Sequence, residues 1–169
     1  MHLTKHSISS IPMRYLPKSL TKKDKRIQLN MLAKSRTLYK RDMYYTRKPI
    51  IKSFPHKTSR HICNAQRIYK IKSIKPSRSL AEKTGCSLES LKKIVQKGEG
   101  AYYSSGSRPN QTPQSWGLAR LASAITGAKA SQVDAKILAC GCKKTSKALK
   151  LAKGWSGKNW HTRKIRVSL

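Results

Sequence analysis

The feature that most constrains this chain is its charge. The 169 residues include 38 lysines and arginines but only 6 aspartates and glutamates, a formal net charge of +32 at pH 7. Repulsion among so many like charges opposes compaction, so anions or an anionic neighbour must screen them. Apolar residues make up 37% of the sequence, which predicts a modest core. We therefore expect a small folded part that works bound to a polyanion or inside a large assembly.

The charge is unevenly distributed along the chain. Residues 1–78 carry +19, residues 79–139 carry +4 and residues 140–169 carry +9. The middle third therefore has the composition of a folded domain, and the flanks have that of arms lying on something negative. Apolar periodicity and turn residues divide the chain into four segments. They are an extended basic N-terminal arm at 1–20, a basic helix plus short strands at 21–78, a small helical domain with a long 98–114 loop at 79–154, and a basic C-terminal tail at 155–169.

The predicted fold is mainly α: a small core of about five short helices, with one or two short strands and long basic extended arms. Three capping boxes, each with an acidic residue three positions after a serine or threonine, predict helix starts at Thr21, Ser79 and Ser131. Ser115 is typical of a further N-cap. Gly98 predicts the end of the helix that Ser87 caps.

Short strands are predicted where tyrosine and isoleucine concentrate. Residues 43–46 and 50–54 flank Pro49 and are predicted to form a strand pair or a bent extended segment. Residues 68–74 alternate apolar residues with lysine, which predicts an edge strand. No apolar run is long enough for a transmembrane helix, and no internal repeat is visible.

Residues 80–97 resemble a helix-turn-helix. Ala81 allows a close helix crossing, Gly85 supplies the turn and Leu91 anchors the second helix. Three lysines of the second helix would face DNA: Lys92, Lys93 and Lys97. Glu89, early in that helix, would instead repel phosphates. A capped helical pair in a small core explains the same pattern, so both interpretations stay open.

No catalytic set emerges, and the chain is predicted not to be an enzyme. The carboxylates are scattered singly, which leaves little material for paired acid–base chemistry. The cysteines, at positions 63, 86, 140 and 142, have neither Cys-x2–4-Cys zinc spacing nor a secretory signal before them. We therefore predict four free thiols, no metal and no cofactor.

Basic runs supply candidate contacts to an anion. The predicted polyanion-binding residues are Lys22, Lys23, Lys25, Arg26, Lys92, Lys93, Lys97, Lys143, Lys144, Lys147, Arg163, Lys164 and Arg166. They suit nucleic acid, and equally an anionic lipid surface.

Aromatic residues and the 98–114 loop supply candidate contacts to protein partners. The loop could cradle a phosphate or form a packed surface for a neighbouring protein, and its tyrosines could stack on bases or fill the core. Large amphipathic rings among cations are typical of interfaces. The predicted partner contacts are Tyr102, Tyr103, Arg108, Asn110, Trp116, Trp155 and Trp160.

Four segments carry a family resemblance that runs from about Arg14 to Gly154. They are RYLPKSLTKKDKR, KSRTLYKRDMYYTRKP, YKIKSIKPSRSLAEKTGCS and GEGAYYSSGSRPNQTPQSWGLARLASAITG. They resemble a family of small, Lys-rich proteins of unknown function from large double-stranded DNA viruses of algae and amoebae. The resemblance brings no catalytic residues. It implies a viral protein, made in the host cytoplasm and located on the inner side of the capsid.

The favoured hypothesis is accordingly a non-enzymatic minor capsid protein of a large icosahedral DNA virus. Its partners would be the major capsid protein, other minor capsid proteins, and an anionic inner membrane or nucleic acid. No small-molecule substrate is expected. One alternative is a helix-turn-helix-like DNA-binding protein for genome packaging or transcription. A second is a ribosomal or mitoribosomal subunit.

Overall fold

The computed structural model describes residues 10–155 and 162–167, and it confirms the mainly helical fold. These residues form eight α-helices, one 3-10 helix and one antiparallel strand pair. The elements in chain order are β1 (Ile11–Pro12), the 3-10 helix (Met13–Tyr15), α1 (Lys22–Tyr39), α2 (Arg60–Tyr69), α3 (Arg78–Thr84), α4 (Leu88–Ser104), α5 (Pro113–Ile125), α6 (Lys129–Val133), α7 (Ala135–Gly141), α8 (Lys147–Lys153) and β2 (Lys164–Ile165).

The chain divides into two compact units. The first, here called the N-terminal unit, comprises Met1–His56, Ala101–Thr112 and Asn159–Leu169. The second, here called the helical unit, comprises Lys57–Gly100 and Pro113–Lys158. This division differs from the four consecutive segments expected from the sequence, because residues 101–112 and the C-terminal residues group with the N-terminal part of the chain.

The N-terminal unit is built around α1. This helix starts where the capping box predicted, since the Thr21 hydroxyl accepts a hydrogen bond from the Asp24 backbone N–H at 3.2 Å. Residues 11–20 do not form the extended arm that the sequence predicted. Ile11 pairs with Ile165 across the two strands, and the apolar side chains that follow are buried: Tyr15, Leu16 and Leu20. Their burial is incompatible with a free arm. Residues 1–9 of the predicted arm lie outside the described residues.

No strand forms at 43–46, 50–54 or 68–74, so the strand pair, one of the two alternatives for the first two segments, and the edge strand are wrong. The first two segments lie in irregular backbone that is fixed by side chains rather than by a sheet. Residues 68 and 69 instead close α2, which ends where Lys70 adopts a left-handed φ of 50°. The alternation of isoleucine and lysine there reflects a helix end followed by a turn, so its period of two was misleading.

The helical unit packs its helices around a core of aliphatic side chains. Leu91 and Ile94 of α4 and Leu121 and Ile125 of α5 are fully buried. The predicted helix end at Gly98 is wrong, because α4 continues to Ser104. The expected 98–114 loop is therefore shorter, covering residues 105–112.

Gly98 has a packing role that explains its place inside a helix. A Cβ at Gly98 would lie 2.6 Å from the Cα of Gly117 on α5. A Cβ at Gly117 would in turn lie 2.7 Å from the backbone oxygen of Val95. The two glycines let α4 and α5 approach more closely than any side chain would allow.

Several predicted caps are shifted. Ser77 rather than Ser79 caps α3, by accepting from the Leu80 N–H at 3.2 Å. Helix α5 begins at Pro113 rather than after Ser115, consistent with the preference for proline in the first helical turn. Ser131 does not open a capping box, because it lies inside α6. The predicted cap Ser87 is confirmed by its hydrogen bond to the backbone three residues on. Ser146 caps α8 in the same way.

The prediction of four free thiols is wrong for two of them. Cys86 and Cys142 form a disulfide, and Cys63 and Cys140 are free and exposed. The bond joins two short backbone segments that pair as an isolated antiparallel bridge. Ser87 N–H donates to the Gly141 carbonyl at 2.7 Å, and Lys143 N–H donates to the Gly85 carbonyl at 2.9 Å. Such a pair brings its two side chains close together, a proximity that sequence spacing could not reveal.

Candidate polyanion-binding surface

Twelve of the 13 predicted polyanion-binding residues are exposed, and they occur on both units. Those on the N-terminal unit are Lys22, Lys23, Arg26, Arg163, Lys164 and Arg166. Those on the helical unit are Lys92, Lys93, Lys97, Lys143, Lys144 and Lys147. Lys25, which lies on α1 with Lys22, Lys23 and Arg26, is half-buried. The predicted residues are thus open to solvent, as contacts to an anion require.

Three of these lysines also have partners within the helical unit. Lys93 lies 2.6 Å from the Glu89 carboxylate, one helical turn away. This contact raises the pKa of Lys93 and lowers that of Glu89. Lys97 lies 2.9 Å from Asp134, and Lys147 donates to the Ile68 carbonyl at 3.0 Å. These three side chains therefore contribute to local structure besides adding positive charge.

Asp134, expected to belong to a capping box, is instead a buried ion-pair centre. The Nε–H and Nη2–H groups of Arg120 donate to its two carboxylate oxygens at 2.8 Å each. Lys97 provides the third contact. The carboxylate is fully buried, with Arg120 and Lys97 as its two cationic partners. The pair fixes α5 against the junction of α6 and α7.

Asp24 is likewise used inside its own unit. Its carboxylate accepts from the Ser53 hydroxyl at 2.6 Å and from the Ser53 backbone N–H at 2.9 Å. These hydrogen bonds lower the pKa of Asp24 below its ordinary value of 3.8, and the bond from the Ser53 hydroxyl has the larger effect. At least two of the six carboxylates are thus turned inwards and engaged in internal contacts.

Two predicted partner contacts have structural roles. Tyr102 is fully buried, so the prediction that it touches a partner is wrong. Asn110 has a left-handed φ of 56°, and its side-chain amide bonds the backbone of residues 51 and 54. Its amide holds that irregular segment in place, and because Asn110 is half-buried its contact with a partner stays a prediction.

The other predicted partner contacts have varied surroundings. Arg108 is exposed, whereas Tyr103, Trp116 and Trp155 are half-buried. Trp160 lies outside the described residues. Tyr103 also contacts Thr46, with their hydroxyl oxygens 3.4 Å apart. Only part of each half-buried ring is therefore accessible to a partner.

Arg47 is a buried cation that sequence analysis did not single out. It is 5% exposed, and its guanidinium lies 3.7 Å from the centroid of the Tyr102 ring. The guanidinium donates to the Ser35 hydroxyl, the Tyr102 carbonyl and the Ser107 hydroxyl at 2.9–3.1 Å. Burial lowers its pKa. Neutral oxygens and an aromatic face thus solvate this cation, an arrangement that no local sequence signal indicates.

Tyr44 is the opposite case, a large ring left accessible. It is 68% exposed, the most exposed of the four large hydrophobic side chains found at the described surface. The others are Met43, Ile50 and Val133. Three of these four side chains lie between residues 43 and 50 of the N-terminal unit.

The described residues offer no sign of a metal centre or a membrane span. No group of three or more His, Cys, Asp or Glu side chains among them is placed to hold a metal ion. No helix in that part of the chain is both long and apolar enough to cross a membrane.

One comparison with known proteins identifies a family. Residues 12–138 match the model of a family described as "Family of unknown function (DUF5824)". No curated protein matches the chain, and no solved structure does.

Proposed function

Because the chain belongs to the DUF5824 family, whose function is unknown, we propose a role from its own charge and surface. The protein is a non-enzymatic structural component that bridges neighbouring protein subunits and an anionic layer. We assign it to the shell of a large icosahedral DNA virus, as a minor capsid protein facing an inner membrane or the genome. The family resemblance noted from the sequence motivates this setting.

The observation that carries the proposal is the excess of exposed cations over carboxylates. If every one of the six acidic residues neutralised one cation, 32 positive charges would still remain. Asp24 and Asp134 are already buried in internal contacts. Only an external anion can compensate such a surface, and a polyanion does so at the lowest entropic cost because it releases its own counterions.

The dependence of DNA affinity on salt tests the polyanion part of the proposal. For the full chain binding to duplex DNA, the logarithm of the association constant should fall steeply with the logarithm of the salt concentration. Replacing Lys22, Lys23 and Arg26 by glutamine should make this slope shallower by about 2–3, if each neutralises one phosphate. The matched control replaces Lys22 and Lys23 by arginine and Arg26 by lysine, which keeps all three charges and should leave the slope unchanged. A shallow wild-type slope, or one that the triple glutamine substitution leaves unchanged, would contradict the proposed contacts.

A second candidate function is sequence-specific DNA binding by α3 and α4. The turn between these helices has the expected form, since Gly85 adopts a left-handed φ of 73°. Changing Lys92 and Lys93 to alanine should then abolish any preference among duplex sequences. Two of the three predicted recognition lysines already have carboxylate partners, which favours the structural role. A preference for one duplex sequence that the double variant loses would reverse this ranking.

A further inference from the structure

Four tyrosines of the N-terminal unit form a connected cluster that reaches the surface. The ring centroids of Tyr39 and Tyr44 lie 6.0 Å apart, and those of Tyr44 and Tyr103 lie 5.1 Å apart. Tyr103 in turn contacts the buried Tyr102, at 5.2 Å. All three contacts are of the edge type, which aromatic pairs favour. We call these four residues the tyrosine cluster.

The buried end of the tyrosine cluster is firmly held. The Tyr102 hydroxyl accepts from the Arg47 backbone N–H at 2.9 Å, and the Arg47 guanidinium stacks on the same ring. The Tyr103 carbonyl accepts from the Ser35 hydroxyl at 3.1 Å. Tyr44 packs against this anchored pair while remaining 68% exposed. Its ring is therefore both ordered and accessible, which lowers the entropic cost of placing another ring on it.

The chain segment that carries the exposed ring is strongly basic. Lys40 and Arg41 directly follow Tyr39, and Lys48 lies four residues beyond Tyr44; all three are exposed. The Lys34 ammonium lies 4.7 Å from the ring centroid of Tyr45, the next residue. Asp42 is the single acidic residue between positions 25 and 81. An aromatic face among cations matches a ligand that carries both flat rings and negative charges.

We propose that the tyrosine cluster binds single-stranded nucleic acid, with a base stacked on Tyr44 and phosphates held by the neighbouring cations. Proteins that bind single strands combine a basic surface with aromatic side chains on which bases stack. A single strand fits better than a duplex, because bases inside a duplex are already stacked on each other and cannot cover a protein ring. An acidic protein would satisfy the cations, whereas every base of a single strand also offers a planar face to the ring.

This inference goes beyond the proposed structural role and does not depend on it. The proposed function requires only an anionic layer, which a lipid surface or duplex DNA would satisfy. The tyrosine cluster instead predicts a requirement for exposed bases. The two ideas can therefore fail separately: loss of base dependence would leave general polyanion binding intact.

Fluorescence anisotropy with matched ligands tests the inference on the full chain. The ligands are labelled oligothymidylate of about 20 nucleotides, oligouridylate, an abasic strand of equal length and charge, and a duplex. Wild type should bind the two base-bearing strands more tightly than the abasic strand. Tyr44→Ala should weaken binding to those strands on the order of tenfold and leave abasic and duplex binding within about twofold. The relative affinity for thymidylate and uridylate then distinguishes DNA from RNA as the ligand.

Two further variants control for structure and for loss of apolar surface. Tyr44→Phe keeps the ring and should bind like wild type. Val133→Ala removes an exposed apolar side chain of the helical unit and should change nothing. Equal binding of abasic and base-bearing strands by wild type would overturn the proposal. So would a Tyr44→Ala variant that weakens the binding of all four ligands alike.

Discussion

The disulfide between Cys86 and Cys142 should account for a large part of the stability of the helical unit. The two cysteines are 56 residues apart in sequence, and the intervening chain includes α4 to α7. Closing a loop of that length in the unfolded chain corresponds to about 4 kcal/mol by loop entropy, within a usual range of about 2–5 kcal/mol. Removing the bond should therefore destabilise the unit by several kcal/mol, although the backbone bridge beside it can still form.

Urea unfolding followed by circular dichroism measures this effect, at high salt so that charge repulsion is screened. Cys86→Ala/Cys142→Ala should lower the midpoint by on the order of 2 M, given a slope of about 1–3 kcal/mol per molar urea. Cys63→Ala/Cys140→Ala removes the two free thiols and is the matched control, with no large shift expected. A reductant should lower the midpoint of wild type but not of the first variant. Four titratable thiols in unreduced, denatured wild type would refute the reasoning, as would equal midpoints with and without reductant.

Three further substitutions test the internal contacts by thermal unfolding at fixed high salt. Arg47→Lys should destabilise the protein by on the order of 2–3 kcal/mol, because lysine cannot reproduce the buried fork of hydrogen bonds; a shift in Tm below 2 °C would contradict this. Asp24→Asn should be less stable than wild type at neutral pH. Since hydrogen bonds from Ser53 lower the pKa of Asp24 below 3.8, this advantage is present above that pH and should disappear as the pH falls through the lowered pKa. A stability difference that persists unchanged below pH 2 would argue against the Asp24 contact. Gly98→Ala should destabilise by about 1–3 kcal/mol through overpacking against α5, whereas Gly154→Ala, whose added Cβ would have its nearest neighbour at 3.5 Å, should be close to neutral. Equal effects of the two glycine changes would contradict the proposed close crossing.

The helical character of the chain could be predicted because it follows from local patterns of capping residues and apolar spacing. Thr21, Ser87 and Ser146 each cap a helix with a hydrogen bond three residues on. Apolar residues such as Leu91 recur at helical spacing and are buried as expected. Where an alternative cap lay within two residues, as at Ser77, the sequence could not distinguish it from its neighbour. Caps differ by small energies, and tertiary contacts decide between them.

The features that escaped prediction depend on contacts between residues far apart in sequence. Gly98 seemed to end a helix because the facing Gly117 on α5 could not be foreseen. Arg47 looked like one more surface cation, yet side chains from two other segments enclose it. The exposure of Tyr44 and the burial of Tyr102 follow from the same packing. A basic composition predicts an anionic partner, but it does not predict which rings and cations remain at the surface to meet it.

The composition of purified virus particles tests the central claim most directly. The protein should be quantified by mass spectrometry relative to the major capsid protein, in intact particles and again after genome release and mild detergent treatment. In the proposed role, contacts to neighbouring subunits hold the chain in the shell. The ratio of this protein to the major capsid protein should therefore be fixed and should survive both treatments. Absence from particles, or complete loss together with the released DNA, would contradict this role.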